Sequence, residues 1–560
     1  MVRLLGALIL FIGFIYLTVK LFYYFSYWGL GLSIILLAAI LVIIFVSLIV
    51  SLALYYKKEI FLIVQHVASK ITSTKTWRSF NQAIRKRCPL LYQFTINRFK
   101  KDKTLGLYFT VGFSISFIFL LLFLGIIQDF VFKDSLVLAD LRIIYLFRPI
   151  ASANLNHFFA FFTVLGNWQT IILLFAALAI FQLVSKNYRR IIYLGASIGA
   201  GSVFSYITKF IFHRPRPPLV SLIKQPISYG LPSGHALLAV CFYGFIAYLL
   251  IKYFKKIYAK VLIAFFSLIL IILIGLSRVY LGVHYLSDVL AGWYLGFFAL
   301  ILALTFFEIN GKFYVREKKA VKDRVVFKYV MAAALFIFAV YFINNSYKSI
   351  EFVEPHEVFI ETNISDFIKR ASLYSENLLG QKMEPVSFVV AGDEEVLKQI
   401  FARAGWEKAE APSIKNILKI SSAIAKNLSY PNAPMTPSFY NNKTNDLGFE
   451  KPVEPNTARQ RHHTRYWKTG YQVGAKDIWV ATASFDEGVE IGAIIQLPTH
   501  KIDPDIDKER EFIMNDLKKT NLITAYQKIN LVGKTSGINA AGDSFFTDGQ
   551  AYLVYPAPRE

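Results

Sequence analysis

The chain has 560 residues, 55% of them hydrophobic, a mean hydropathy of +0.46 and a formal net charge of +24 at pH 7. Soluble domains are about 45–50% apolar and lack long uncharged runs, so this composition excludes an ordinary soluble globule. Two cysteines, Cys88 and Cys241, exclude a disulfide framework, and the cations crowd a few loops without the aromatic-interleaved basic module that a nucleic-acid partner would need.

A helix needs ~20 mostly apolar residues to cross a bilayer. Runs such as Gly29–Tyr55, Leu107–Phe132 and Phe158–Val184 meet that length. Nine membrane helices are expected, at 3–24, 28–55, 107–132, 155–184, 191–212, 236–253, 260–277, 284–307 and 328–345. The first follows Arg3 like a secretory signal, but no small-residue cleavage site follows it, so it is read as retained.

Segment 56–106 is dense in Lys and Arg and holds only Glu59 and Asp102 as acids. Further basic loops lie at 186–190, 252–260 and 312–328. With nine spans all four fall on one side, which the positive-inside rule makes cytoplasmic. The chain then starts inside and ends outside.

Hydropathy falls after Asn345, and residues 346–560 are long enough for a domain of their own. Val386–Ala391 and Asp477–Phe485 read as strands, Glu394–Ala404 and Asp505–Lys519 as amphipathic helices, and the Pro- and Asn-rich Tyr430–Pro455 as a long loop. The expected fold is a polytopic all-α membrane protein with a C-terminal soluble α/β domain. Its parts are two N-terminal helices (1–55), a basic cytoplasmic segment (56–106), a membrane core (107–310), a basic loop with the last helix (311–345), and the extracytoplasmic domain (346–560).

Loop 213–230 breaks the charge pattern: it is placed outside, yet carries His213, Arg214 and Arg216, with Lys209 just before it. Ionisable groups beside membrane helices are costly and invite a functional reading. Pro232-Ser233-Gly234-His235 opens the next helix on that side. Ser233 suits an N-cap, and a helix start gathers free N–H groups and positive dipole, which suits an anion. Simple capping is the plainer account of those residues alone. Ser277-Arg278 then leads to His284, and Asp288 follows four residues on, where a carboxylate can hold one imidazole nitrogen and leave the other free. Arg278 alone could be an interface anchor, and His284 with Asp288 a capping pair. Together the three segments bring the histidines His235 and His284, the cations Lys209, Arg216 and Arg278, and the carboxylate of Asp288 to one face.

Lys209 with six residues before Arg216-Pro217, then Pro232-Ser233-Gly234-His235, then Ser277-Arg278 through His284 to Asp288, resemble the type-2 phosphatidic acid phosphatase superfamily in order and spacing. The likeness covers roughly 105–310. It implies a six-helix core in which His284 attacks phosphorus to give a phosphohistidine, Asp288 orients it, and His235 protonates the leaving oxygen. Lys209, Arg216, Ser233, Gly234 and Arg278 would hold the phosphate, with no metal and no cofactor. The implied protein is a multi-pass phosphoric ester or anhydride hydrolase of a bacterial inner membrane, its site and tail extracytoplasmic and its substrate a lipid phosphate. Gly392 through Gly405-Trp406 and Arg459–Trp467 look like an LssY-type C-terminal domain, which could engage an extracytoplasmic protein partner. His462-His463 could be a metal pair, although neighbours on a strand face opposite ways.

Four alternatives stay open. A lipid phosphotransferase would share the phosphohistidine. A vanadate-dependent haloperoxidase shares the anion pocket but is soluble. A membrane-anchored binding module would need only the tail. A transporter would hold its charges near the midplane. Candidate substrates are undecaprenyl pyrophosphate, phosphatidylglycerophosphate, phosphatidic acid and the phosphates of lipid A.

Overall fold

The computed structural model describes residues 85–99, 106–313, 325–354 and 359–557, less 186, 219, 454–459, 492–497, 541 and all but 416 and 419 of 411–429, with a few isolated positions from 70 to 82. The helices expected at 3–24 and 28–55 lie outside the described residues. Two compact units separate: Ser152–Glu354 group with the segment before Lys133, and Lys133–Ala151 group with Pro355–Glu560.

Among the described residues, the helical unit includes α1 (Pro89–Phe99) and α2 (Leu107–Phe132). Helix α3 (Ser135–Leu146) belongs to the other unit. There follow α4 (Ala153–Leu165), α5 (Trp168–Val184) and α6 (Tyr188–Phe212). A broken helix comes next: α7 (Gly234–Ala239), a π-turn over Val240–Gly244, and α8 (Phe245–Tyr253). Last are α9 (Ile257–Tyr280), α10 (Leu286–Phe313) and α11 (Val325–Lys348). Five described helices are long and apolar enough to cross a membrane, or six if α4 and α5 make one span, so this is a multi-pass membrane protein.

Two expectations change. The helix expected at 155–184 is two helices bent by 50° at Gly166-Asn167. His284, expected to open the last core helix, lies in the turn before α10, which starts at Leu286.

Helix α10 is the hub, packing on α2, α6 and α7. The apolar core joins Ile171, Leu194, Ala239, Val240, Phe245, Ile271, Ile274 and Leu300. With little hydrophobic drive between helices in lipid, such packing and inter-helix hydrogen bonds do the holding. Ser116 of α2 donates to the Phe298 carbonyl at 2.9 Å.

In the second unit a nine-stranded sheet runs in the order Ile523–Asn530, Gln550–Pro556, Phe388–Ala391, Lys476–Ile491, Arg461–Val473, Leu447–Pro452 and Glu407–Lys408, with two further strands off this path. Helices α12 (Ile364–Arg370), α13 (Glu394–Arg403) and α14 (Ile506–Lys518) belong to the same unit. Phe388, Ile400, Phe401, Trp479, Ile513 and Tyr552 fill one core. The loop expected over Tyr430–Pro455 contains three strands instead. Asn441 and Asn442 both adopt positive φ, 48° and 70°, closing a tight hairpin between Phe439–Tyr440 and Lys443–Thr444. Asparagine tolerates that left-handed region better than most residues. The asparagines that suggested a loop make a turn.

Candidate active site

Helix α6 ends where His213 turns left-handed at φ 45°, and Pro215 and Pro217 prevent its resuming. Lys209 is left in the last turn, and Arg214 and Arg216 on the loop beyond. The loop returns so that Gly230 N–H donates to the Arg214 carbonyl at 2.8 Å. A Cβ on Gly230 would lie 2.9 Å from Asp288 Oδ2, so only glycine admits this approach. Lys209 Nζ donates to the Tyr229 carbonyl. Arg216 donates to the Ser228 carbonyl at 2.6 Å and to the Val283 carbonyl at 2.6 Å.

At the end of α9 the chain folds over itself, with the N–H groups of Val283 and His284 both on the Arg278 carbonyl. That turn aims the buried His284 ring. Its Nδ1 lies 3.2 Å from Asp288 Oδ2, and its Nε2 lies 3.0 Å from Arg216 Nη1. Burial first, then the charges of Arg216, Arg278, Lys209 and Arg214, hold the His284 pKa well below 6.5. The ring is therefore neutral at pH 7, with Nδ1–H on the carboxylate and a lone pair on Nε2. Burial draws Arg216 down to about 10, which still leaves it charged.

Ser233 sits at the N-cap of α7 but makes no capping bond, and its fully buried hydroxyl has no hydrogen-bond partner. The capping account of that serine therefore fails. Arg278 donates to Thr163 Oγ1, while its Nε has no partner. Buried donors are normally paired, and orphaned ones call for an explanation. Nothing within 4 Å would meet a Cβ on Gly234, so the backbone there is open to an approaching group. His235 Nε2 lies 2.6 Å from Asn167 Oδ1. Three cations, an orphaned hydroxyl, a helix start and a neutral imidazole whose Nε2 lone pair faces a guanidinium N–H suit a tetrahedral oxyanion.

The PAP2 superfamily model matches residues 190–312, and the LssY C-terminus model matches residues 368–551. The chain carries a PAP2 domain and an LssY C-terminal domain. It is 35% identical over 111 residues to phosphatidylglycerophosphatase B of Bacillus subtilis, covering 20% of this chain and 54% of that protein. It is 33% identical over 150 residues to the undecaprenyl-diphosphatase of Sulfolobus acidocaldarius, covering 26% and 66%. The chain thus spans between about half and two thirds of these relatives. The crystal structure of a transmembrane PAP2 type phosphatidylglycerolphosphate phosphatase from Bacillus subtilis aligns over 37% of this chain and 98% of its own, at 26% identity and a TM-score of 0.31.

Within the PAP2 domain, sequence reasoning passed over Arg214 as a site residue. It is buried, 2.7 Å from both Asp288 Oδ1 and Ser287 Oγ, and lies over the rings of Phe130 and Tyr285. Thr163 and Asn167, at the helix break before the matched region, were missed as well. The signal was a Gly-Asn pair interrupting an apolar run.

In the LssY domain His462 and His463 face opposite ways. His462 stacks on Phe512 and pairs with Glu509 at 2.7 Å, whereas His463 meets Ser484 at 2.7 Å and lies 3.5 Å from Asp486. Among the described residues no group of three or more His, Cys, Asp or Glu could hold a metal ion. Arg461 lies between Glu450 at 3.0 Å and Asp486 at 3.3 Å.

Proposed function

We propose that this protein hydrolyses the phosphate ester or anhydride of a membrane lipid at the extracytoplasmic face, through a phosphohistidine on His284. The observation that carries this is the buried His284 ring, with Nδ1 3.2 Å from the Asp288 carboxylate and Nε2 3.0 Å from the Arg216 guanidinium.

The Nε2 lone pair attacks phosphorus in line, and the bond from phosphorus to the leaving oxygen breaks. The leaving oxygen keeps that electron pair and takes a proton from His235. Lys209, Arg216 and Arg278, with the Ser233 hydroxyl and the Gly234 N–H, hold the equatorial oxygens as charge redistributes. His235, now neutral, accepts a proton from water as its oxygen attacks phosphorus and the N–P bond breaks. The net reaction is lipid phosphate plus water giving lipid alcohol, or lipid monophosphate from a pyrophosphate, plus phosphate.

The named activities of the two relatives make phosphatidylglycerophosphate and undecaprenyl pyrophosphate the first substrates to try. The charge pattern of the loops supports a site that faces away from the cytoplasm. A single cysteine in the 220–230 loop should then react with an impermeant thiol reagent in outer-permeabilised cells, and one near Lys101 should not.

The deciding experiment is rapid quench with a lipid carrying labelled phosphate, following lipid products and phosphate together. Wild type should yield an acid-labile, base-stable phosphoprotein and free phosphate, and His284→Ala neither. Near-normal turnover by purified His284→Ala protein would sink the reading, and label passed to a second lipid would make the protein a phosphotransferase.

A further inference from the structure

The bend between α4 and α5 places one polar side chain on a reacting group, and it does so at a local cost. Asn167 is the N-cap residue of α5, in extended conformation at φ −62° and ψ 140°. An asparagine there ordinarily accepts from the N–H groups of its own helix. Asn167 makes no such bond, and its Oδ1 lies 2.6 Å from His235 Nε2 instead. Gly166 lets the bend come this close: a Cβ there would lie 2.6 Å from Ile274 Cγ2 and 3.2 Å from the His235 ring at Cδ2. Nearby, Tyr243 of the π-turn donates to the Leu165 carbonyl at 2.9 Å, fixing the end of α4 against the helix that carries His235.

We infer that Asn167 is a positioning residue for His235, accepting the Nε2 proton and thereby making Nδ1 the atom that delivers a proton to the leaving oxygen. This rests on His235 being the general acid of the reaction proposed above. With Nε2–H held by the amide oxygen, the second proton of the imidazolium can sit only on Nδ1. Once Nδ1 has given it up, the ring is left as the tautomer that Asn167 already binds. The amide thus stabilises the ring in the state that follows proton delivery, without itself meeting the substrate. The titratable groups that act most strongly on the ring are Arg278, His284, Arg216 and Lys209, and none of these four is a carboxylate.

The consequence is a dependence on the leaving group. An alkoxide leaving from a lipid phosphate needs a proton, a contribution of roughly 10²–10⁴-fold, whereas p-nitrophenolate leaves without one. The test compares kcat/KM of the full chain in detergent for a short-chain lipid phosphate and for p-nitrophenyl phosphate. Asn167→Leu should lose on the order of 10²-fold on the lipid phosphate and far less on the aryl phosphate, with KM little changed, and His235→Ala should show the same split. Asn167→Asp should recover part of the lipid activity and move the alkaline limb of its pH profile upward, because a carboxylate on Nε2–H favours the imidazolium. Equal losses on the two substrates, or no loss on either, would overturn the assignment. A wild type inert on both, or a His284→Ala protein active on both, would instead overturn the phosphohistidine reading.

Discussion

Arg214 and Asp288 form an ion pair of 2.7 Å with both side chains buried, and the same carboxylate reaches His284 at 3.2 Å through its other oxygen. Asp288 Oδ2 also accepts the Tyr285 N–H at 3.1 Å. The carboxylate is therefore fixed from three directions, and only one of its partners is the imidazole it orients.

Arg214→Gln should consequently act on catalysis through Asp288. An uncompensated buried carboxylate is strongly disfavoured, and breaking such a pair costs about 3–5 kcal/mol. The carboxyl would take up a proton and hold His284 Nδ1–H poorly. Expected results are a fall in kcat on the order of 10²-fold and a lower unfolding temperature. Adding Asp288→Asn should restore stability without restoring turnover. Full activity in Arg214→Gln would show that Asp288 holds the imidazole unaided.

The pocket should take vanadate and tungstate as competitive inhibitors, since both can adopt the five-coordinate geometry of phosphorus under attack. Lys209→Ala, Arg216→Ala and Arg278→Ala should each weaken vanadate inhibition, by about tenfold or more if each loses a charge-assisted hydrogen bond of about 1.5–3 kcal/mol. Treatment with EDTA should leave turnover intact. Loss on chelation that a divalent ion restores would redirect the chemistry to a metal-assisted hydrolase.

The legibility of this site follows from the cost of charge in a bilayer. Lys209, Arg278 and Asp288 stand out because each lies at one end of an apolar helix whose other charges, Arg189, Arg190, Lys260, Glu308 and Lys312, lie toward the opposite end. Their spacing also survives folding well, since Lys209 and Arg278 lie in last turns and Asp288 in a first turn. What stayed hidden depended on interrupted helices. Asn167 reads as one polar residue within an apolar run of membrane length, and its role appears only once Gly166 lets the chain bend onto His235. Ser233 was legible as a helix start, but its hydroxyl turned away from the cap. In the tail, Phe388–Ala391 and Glu394–Arg403 were plain from periodicity, whereas the short strands at 439–444 were masked by the asparagines that make their turn.

The LssY domain should lose stability as pH rises. Burial, with Asp486 adding to it and Arg461 opposing, pushes the Glu450 carboxyl up from 4.5 to about 7. Between those values the folded domain holds a proton that the unfolded chain has released, so unfolding free energy falls with rising pH. The contribution is fully present below about 4.5 and lost as pH passes 7. Unfolding followed through the buried Trp406, Trp467 and Trp479 should occur several degrees lower at pH 8 than at pH 5. Glu450→Gln should flatten that dependence, and an unchanged slope would assign it to other groups.

The last prediction concerns helix α3, which joins two membrane helices but packs with the tail domain. Its Ile143, Ile144 and Leu146 are buried, as is the following Phe147. Arg142 pairs with Glu376 at 2.5 Å, and its guanidinium lies against Gly380, where φ is +78°. Fully burying one such apolar side chain is worth ~1.5–3 kcal/mol, so removing the tail would expose a strongly apolar surface. A chain ending after α11 should therefore aggregate, or be cut readily within 133–151, even though the proposed chemistry uses nothing beyond Asp288. Replacing Ile144 and Phe147 by Ser in that truncated chain should restore a monodisperse species on size exclusion. The repaired core should then hydrolyse a short-chain lipid phosphate within about tenfold of the full chain, if proximity and pocket contacts are intact. A truncated chain that is monodisperse without repair would mean that α3 does not depend on the tail. A repaired, well-folded core inactive on every substrate would mean that the LssY domain supplies catalytic groups, with His462, His463 and Arg465 the first to substitute.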